Sequence, residues 1–100
     1  MPILTGLQQE LYALLTVADI WKERAPDGAL PSSDEVSQRL EGRGITITIP
    51  IPFLLEGLRH NGYVSGSSIL KHGEVIAMRA IRPTPKGIER LKTYLHWRSS

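Results

Sequence analysis

One hundred residues, 41% hydrophobic and 22% charged, suffice for one core without covalent staples, so a single domain over residues 1–100 is expected. The lack of cysteine excludes disulfides, thiolate metal sites and cysteine nucleophiles, and fits a cytoplasmic protein. Net charge is only +2, but residues 1–58 carry four basic and eight acidic side chains while residues 59–100 carry eight and two, so positive charge gathers in the second half.

From Thr5 to Arg24, Leu7, Leu11, Leu14, Leu15, Ala18 and Trp21 recur at helical spacing. Thr5 with Gln8 forms a capping-box pattern, and Pro26-Asp-Gly28 closes the segment as a turn. Leu4, Tyr12, Val17 and Ile20 lie partly off that stripe, which predicts a second partner such as the last helix or another subunit. Ala29-Leu30-Pro31 has the length of a small strand. Ser32 or Ser33 then caps a second helix over Asp34 to Leu40, with acidic residues in its first turn and Gly42-Arg43-Gly44 ending it.

Ile45-Thr-Ile-Thr-Ile-Pro-Ile-Pro52 alternates strictly, yet two prolines argue against a central strand. An extended turn over Ile45 to Thr48 leading into a helix at Ile49 or Pro50 is expected, with an edge strand through Ile49 as the alternative. Phe53 to His60 is helical and Asn61-Gly62 stops it. Two strands follow, Tyr63 to Ser67 and Glu74 to Ile81, with Lys71-His72-Gly73 near their tip and Ser65, Ser67 and Ser68 placed in the hairpin loop. Arg82-Pro83 ends the second strand. Thr84 caps a last helix with Pro85 at its first position and Ile88, Leu91 and Leu95 inward, running to about Trp97.

The longest apolar run, Ile49 to Leu55, is broken by Pro50 and Pro52 and falls short of the roughly 20 residues a membrane span needs. The Met-Pro-Ile-Leu-Thr-Gly start has no basic segment before an apolar stretch, so no signal peptide is expected. His60, His72 and His96 show no ligand spacing, and no phosphate-binding glycine loop or nucleophile elbow is present. The sequence therefore predicts neither a metal nor a cofactor, and no enzyme.

Two stretches resemble a known superfamily. Leu55-Glu-Gly-Leu-Arg-His-Asn-Gly-Tyr-Val64 is similar to the end of the recognition helix and first wing strand of MarR-like and PadR-like winged-helix regulators. Arg82-Pro-Thr-Pro-Lys-Gly-Ile-Glu-Arg-Leu91 resembles the entry to the helix after the wing. The resemblance implies an α+β, mainly α fold: a winged helix-turn-helix with a three-helix core, a two-stranded wing and a C-terminal helix. It further implies that the third helix enters the DNA major groove, the wing touches backbone and the outer helices form a homodimer. The chain departs from the family at Ile45–Pro52, where Ser, Thr and Arg are usual.

Under that resemblance the residues expected at double-stranded DNA are Arg39, Arg43, Thr46 and Thr48 around the third helix, Phe53 and Glu56 on it, and Lys71 and His72 at the wing tip. Arg79 and Arg82 either join them or solvate the open face of the sheet. With Ile51, Leu54, Leu55 and Leu58 turned inward, Pro52, Phe53, Glu56 and His60 face outward, a surface without lysine or arginine. Leu4, Tyr12, Ile20 and Trp97 are the expected dimer contacts. The competing expectation is a protein-binding module that uses Pro50, Pro52 and Phe53 as an apolar patch.

Overall fold

The described residues fold as four helices and one two-stranded antiparallel sheet, in the order α1 (Gly6–Arg24), α2 (Ser33–Gly42), α3 (Ile51–His60), β1 (Val64–Lys71), β2 (Glu74–Pro83) and α4 (Pro85–Ser99). This is an α+β fold, mainly α. The computed structural model describes residues 4–25 and 27–99, the last five by their backbone alone.

Helix α1 lies at the centre. Its capping box forms as expected: the Gln8 N–H donates to the Thr5 hydroxyl, and the Thr5 N–H donates back to the Gln8 side chain. Leu11, Ala13, Leu14, Val17, Ala18 and Ile20 are all buried, because α2, α3, α4 and β2 all pack against this helix. Two sequence expectations change here. Leu7, placed in the inward stripe, is 55% exposed; Ile20, assigned to a dimer contact, is 1% exposed and belongs to the core.

Ala29 to Pro31 does not form a strand. It contributes one ladder-like bond, from the Ile81 N–H to the Pro31 carbonyl at 3.0 Å. Ser32 caps α2, while the buried Ser33 hydroxyl accepts from the Met78 N–H at 3.1 Å and fastens the helix start to β2. Both α2 and α3 end in the same way. Gly44 and Gly62 take positive φ, and the N–H of each glycine and that of the residue after it close the last turn: Gly44 to Glu41 and Ile45 to Leu40 in α2, Gly62 to Arg59 and Tyr63 to Leu58 in α3.

Between those helices, Ile45, Ile47 and Ile49 are half-buried and Thr46, Thr48 and Pro50 exposed, so the alternation records a one-sided extended segment. It pairs with no strand. Helix α3 begins at Ile51 with Pro50 as its cap residue and Pro52 in the first turn, where a missing N–H costs nothing.

The hairpin is longer than the sequence suggests, and Ser65, Ser67 and Ser68 lie in β1 rather than in a loop. Its tip is the two-residue turn His72-Gly73, both at positive φ (53° and 81°) as a type I′ turn requires. Strand β2 carries two extra residues. Ser65 pairs with Arg82 and Ser67 with Arg79; Ile69 pairs with Ala77 and Leu70 with Val75. Ala80, at φ 52°, and Ile76 sit in these irregularities. Each one shifts the inward face by a residue, so Val75, Met78 and Ile81 point the same way at a spacing of three.

The residues Thr84, Lys86 and Gly87 lock α4 onto the exit of α3. Thr84 donates its N–H to the Tyr63 carbonyl (3.0 Å) and its hydroxyl to the Gly62 carbonyl, while accepting from the Gly87 N–H (3.0 Å). Lys86 Nζ donates to the Asn61 carbonyl at 2.8 Å. Gly87 is packed so closely that a β-carbon there would sit 2.0 Å from the Tyr63 carbonyl oxygen.

Candidate nucleic-acid interface

Helices α1 and α2 run side by side with a ladder of ion pairs between them. Asp19 pairs with Arg43 (3.1 Å), Glu23 with Arg39 (2.8 Å) and Arg24 with Glu35. The i,i+4 spacing of Asp19 and Glu23 meets the same spacing of Arg39 and Arg43 on an antiparallel neighbour. Arg39 holds Glu23 through both carboxylate oxygens, and this hydrogen bonding lowers the Glu23 pKa and raises that of Arg39. The same cause lowers Glu35 and raises Arg24. Two cations expected at DNA are thus already committed to carboxylates of α1.

Thr46 is exposed, but Thr48 is engaged. The Gln9 amide donates from Nε2 to the Thr48 hydroxyl (2.9 Å) and the Leu4 carbonyl (3.1 Å). Its Oε1 accepts from the N–H groups of Thr48 and Ile49, both at 3.0 Å. Gln9 is 2% exposed and fully satisfied. It replaces the strand partner that the proline-broken segment lacks.

On the outer face of α3, Phe53 is 52% exposed and His60 is exposed. Glu56 is no free acceptor: it accepts from Arg59 and from the Ser68 hydroxyl of β1, and these bonds, the Arg59 one first, lower its pKa. Arg59 is therefore part of this face, which corrects the expectation that it lacks a cation, but its charge is spent on Glu56. The hairpin tip leans back over the helix. Phe53, Glu56, Gly57 and His60 line a shallow cleft of about 510 Å³, with Gly73, Glu74 and Val75 on its other wall. A carboxylate bound by its neighbouring arginine and an aromatic ring are a poor surface for phosphate.

The opposite face of the hairpin differs. Cross-strand partners share a face, so the pairs Ser65–Arg82, Ser67–Arg79, Ile69–Ala77 and Lys71–Glu74 lie together, away from the inward Val64, Met78 and Ile81. Arg79, Arg82 and Lys71 are exposed and have no carboxylate partner among the described residues. Ser65 and Ser67 put two exposed hydroxyls beside the arginines. Lys71 thus lies where the sequence reading put it, and His72 forms the turn itself. What the sequence left open was the alignment of Arg79 with Arg82, because three residues separate them and only the bulge at Ala80 returns both to one side.

Of the expected dimer residues, Leu4 and Tyr12 are half-buried, Ile20 is in the core, and the Trp97 side chain lies outside the described residues. Among the described residues no three His, Asp or Glu side chains are grouped to hold a metal ion, and no helix is long and apolar enough to cross a membrane. No protein-family model matches the chain, and comparison with curated proteins finds no significant match.

Proposed function

We propose that this chain is a small transcriptional regulator of the winged helix-turn-helix type that binds duplex DNA. The observation that carries the reading is the outer face of the hairpin, where Arg79 and Arg82 stand beside Ser65 and Ser67 and Lys71 lies opposite Glu74, none of the three cations in an ion pair among the described residues. Phosphate contacts supply most nonspecific DNA affinity and need free cations. Three helices followed by a hairpin and a last helix is the order that the resemblance implies. Arg39, Arg43, Thr48 and Glu56 contribute through the shape they hold; the wing makes the phosphate contacts. A homodimer through the start of α1, with half-buried Leu4 just before the helix and exposed Leu7 on it, belongs to the same reading. Light scattering at micromolar concentration tests it, and a monomer would remove it.

Fluorescence anisotropy with a labelled random duplex across a salt series tests the DNA reading. Three phosphate contacts predict that log K falls with log[salt] at a slope of about −2.7 or steeper. The triple variant K71A/R79A/R82A flattens the slope by about that amount. No binding by the wild type at roughly 20 mM salt, where the electrostatic attraction is least screened, would overturn the proposal.

One observation favours a second reading. Phe53, Leu70 and Ile76 are each at least half exposed, and Phe53 and Val75 line the cleft between α3 and the hairpin. If the chain ignores duplex at low salt, this apolar surface makes it a protein-binding module.

A further inference from the structure

We infer that the DNA-contacting surface continues from the hairpin onto α4, where Tyr63, Lys86 and Arg90 form a second phosphate subsite at the base of the wing. This inference rests on the DNA reading above and assigns it a place the resemblance does not.

The residues come together for local reasons. Tyr63 precedes β1 by one position, and the Thr84 N–H bond to its carbonyl prolongs the ladder past Val64 and Pro83. Strand alternation then sets Tyr63 on the side of Ser65 and Ser67, opposite the buried Val64. Lys86 and Arg90 are four apart on α4 and share one face of it. Lys86 Nζ lies 5.0 Å from the centroid of the Tyr63 ring, and Arg90 Cζ lies 4.8 Å from it. The ring packs both side chains beside the hairpin.

The electrostatics of this arrangement are incomplete. Like charges at i,i+4 repel. Neither cation meets a carboxylate among the described residues; Lys86 bonds only a carbonyl, and Arg90 Nε is buried with no hydrogen-bond partner. Cation–π attraction to one ring offsets part of that repulsion but leaves the charge uncompensated. A phosphate diester supplies the missing anion, and the guanidinium presents a fork of donors suited to it.

Along the hairpin the set extends this way: Lys86 and Arg90 at Tyr63, then Arg82 and Arg79, and beyond the Ile69–Ala77 pair Lys71, with Glu74 opposite it at the far end. Eight residue steps from Tyr63 to Lys71, at about 3.3 Å each, give a stripe of about 26 Å. That length is about three quarters of one helical turn of duplex DNA, which rises about 34 Å. The ligand is therefore the phosphate backbone of duplex DNA, met by the hairpin and α4, and not base edges read by α3.

The test uses the full chain and the labelled random duplex. The variant K86M/R90M keeps the aliphatic stems on Tyr63 and removes both charges. Its salt slope is expected to be shallower than wild type by about 1.8, and its affinity at about 0.1 M salt lower by on the order of tenfold or more. A wild-type slope in a variant that retains its thermal midpoint would overturn the inference while leaving the hairpin reading intact. No binding by the wild type would overturn both. NMR amide shifts on duplex addition give an answer that does not depend on a variant folding: Tyr63, Lys86 and Gly87 move with Ser65 and Ser67, while Phe53 and Gly57 do not. Shifts at Phe53 and Gly57 with none at Lys86 would reject the subsite. Binding to anionic vesicles without binding to duplex would assign the stripe to a membrane surface instead.

Discussion

Replacing Gly87 with alanine sets two physical effects of opposite sign against each other. Gly87 is inside α4, and alanine is favoured over glycine in a helix by about 0.8–1 kcal/mol. With propensity alone, G87A would be stabilising. The structure demands the reverse, because the new β-carbon would sit 2.0 Å from the Tyr63 carbonyl oxygen, and that atom is backbone. Relief requires α4 to move off the α3–β1 turn. The bonds from the Thr84 N–H to Tyr63 and from its hydroxyl to Gly62 then stretch or break. Overpacking costs about 1–3 kcal/mol and each lost hydrogen bond about 0.5–1.5 kcal/mol, so a net loss of about 2–4 kcal/mol is expected. For a chain of this size that is a fall of about 10 °C or more in Tm. The paired control is G57A in α3, where a β-carbon meets nothing within 4 Å and φ is not positive. It should gain about 0.5–1 kcal/mol. Urea denaturation with equal m-values measures both. A G87A protein as stable as wild type, or more stable, would refute the packing argument.

Gln9→Ala removes the group that satisfies the N–H groups of Thr48 and Ile49; a loss of about 2–4 kcal/mol is expected by urea denaturation, and hydrogen exchange should quicken at those two amides. His72→Asn places a residue that accepts positive φ more readily at the first position of a type I′ turn, and should raise stability by about 0.5–1 kcal/mol without altering the fold by circular dichroism. The folded-state pKa values of Glu23 and Glu35 lie below their ordinary value near 4.5, so their ion pairs contribute fully above that pH. That contribution fades as pH falls through the lowered values, because the unfolded chain then binds more protons. Thermal melts between about pH 6 and 3 should show a midpoint drop that E23Q/E35Q reduces, and moderate salt at neutral pH should weaken the same pairs.

Punctuation residues made most of the fold legible in the sequence. Thr5 with Gln8, Ser32, the glycines at 44 and 62, and Thr84-Pro85 act through their own backbone within a few positions, so their spacing predicts where helices start and stop. The strands were harder to delimit, because two bulges turn the period of β2 from two to three and make Val75, Met78 and Ile81 look irregular. Tertiary structure alone decided which cations are free. Arg39 and Arg43 look like candidates until α1 brings Glu23 and Asp19 against them, across 16 and 24 residues of chain. Arg79 and Arg82 look unrelated until the bulge at Ala80 aligns them, and Lys86 and Arg90 join them only because Gly87 lets α4 touch Tyr63. Local backbone chemistry is written along the chain at short range. Whether a charge is spent or available depends on neighbours distant in sequence, and only folding brings them together.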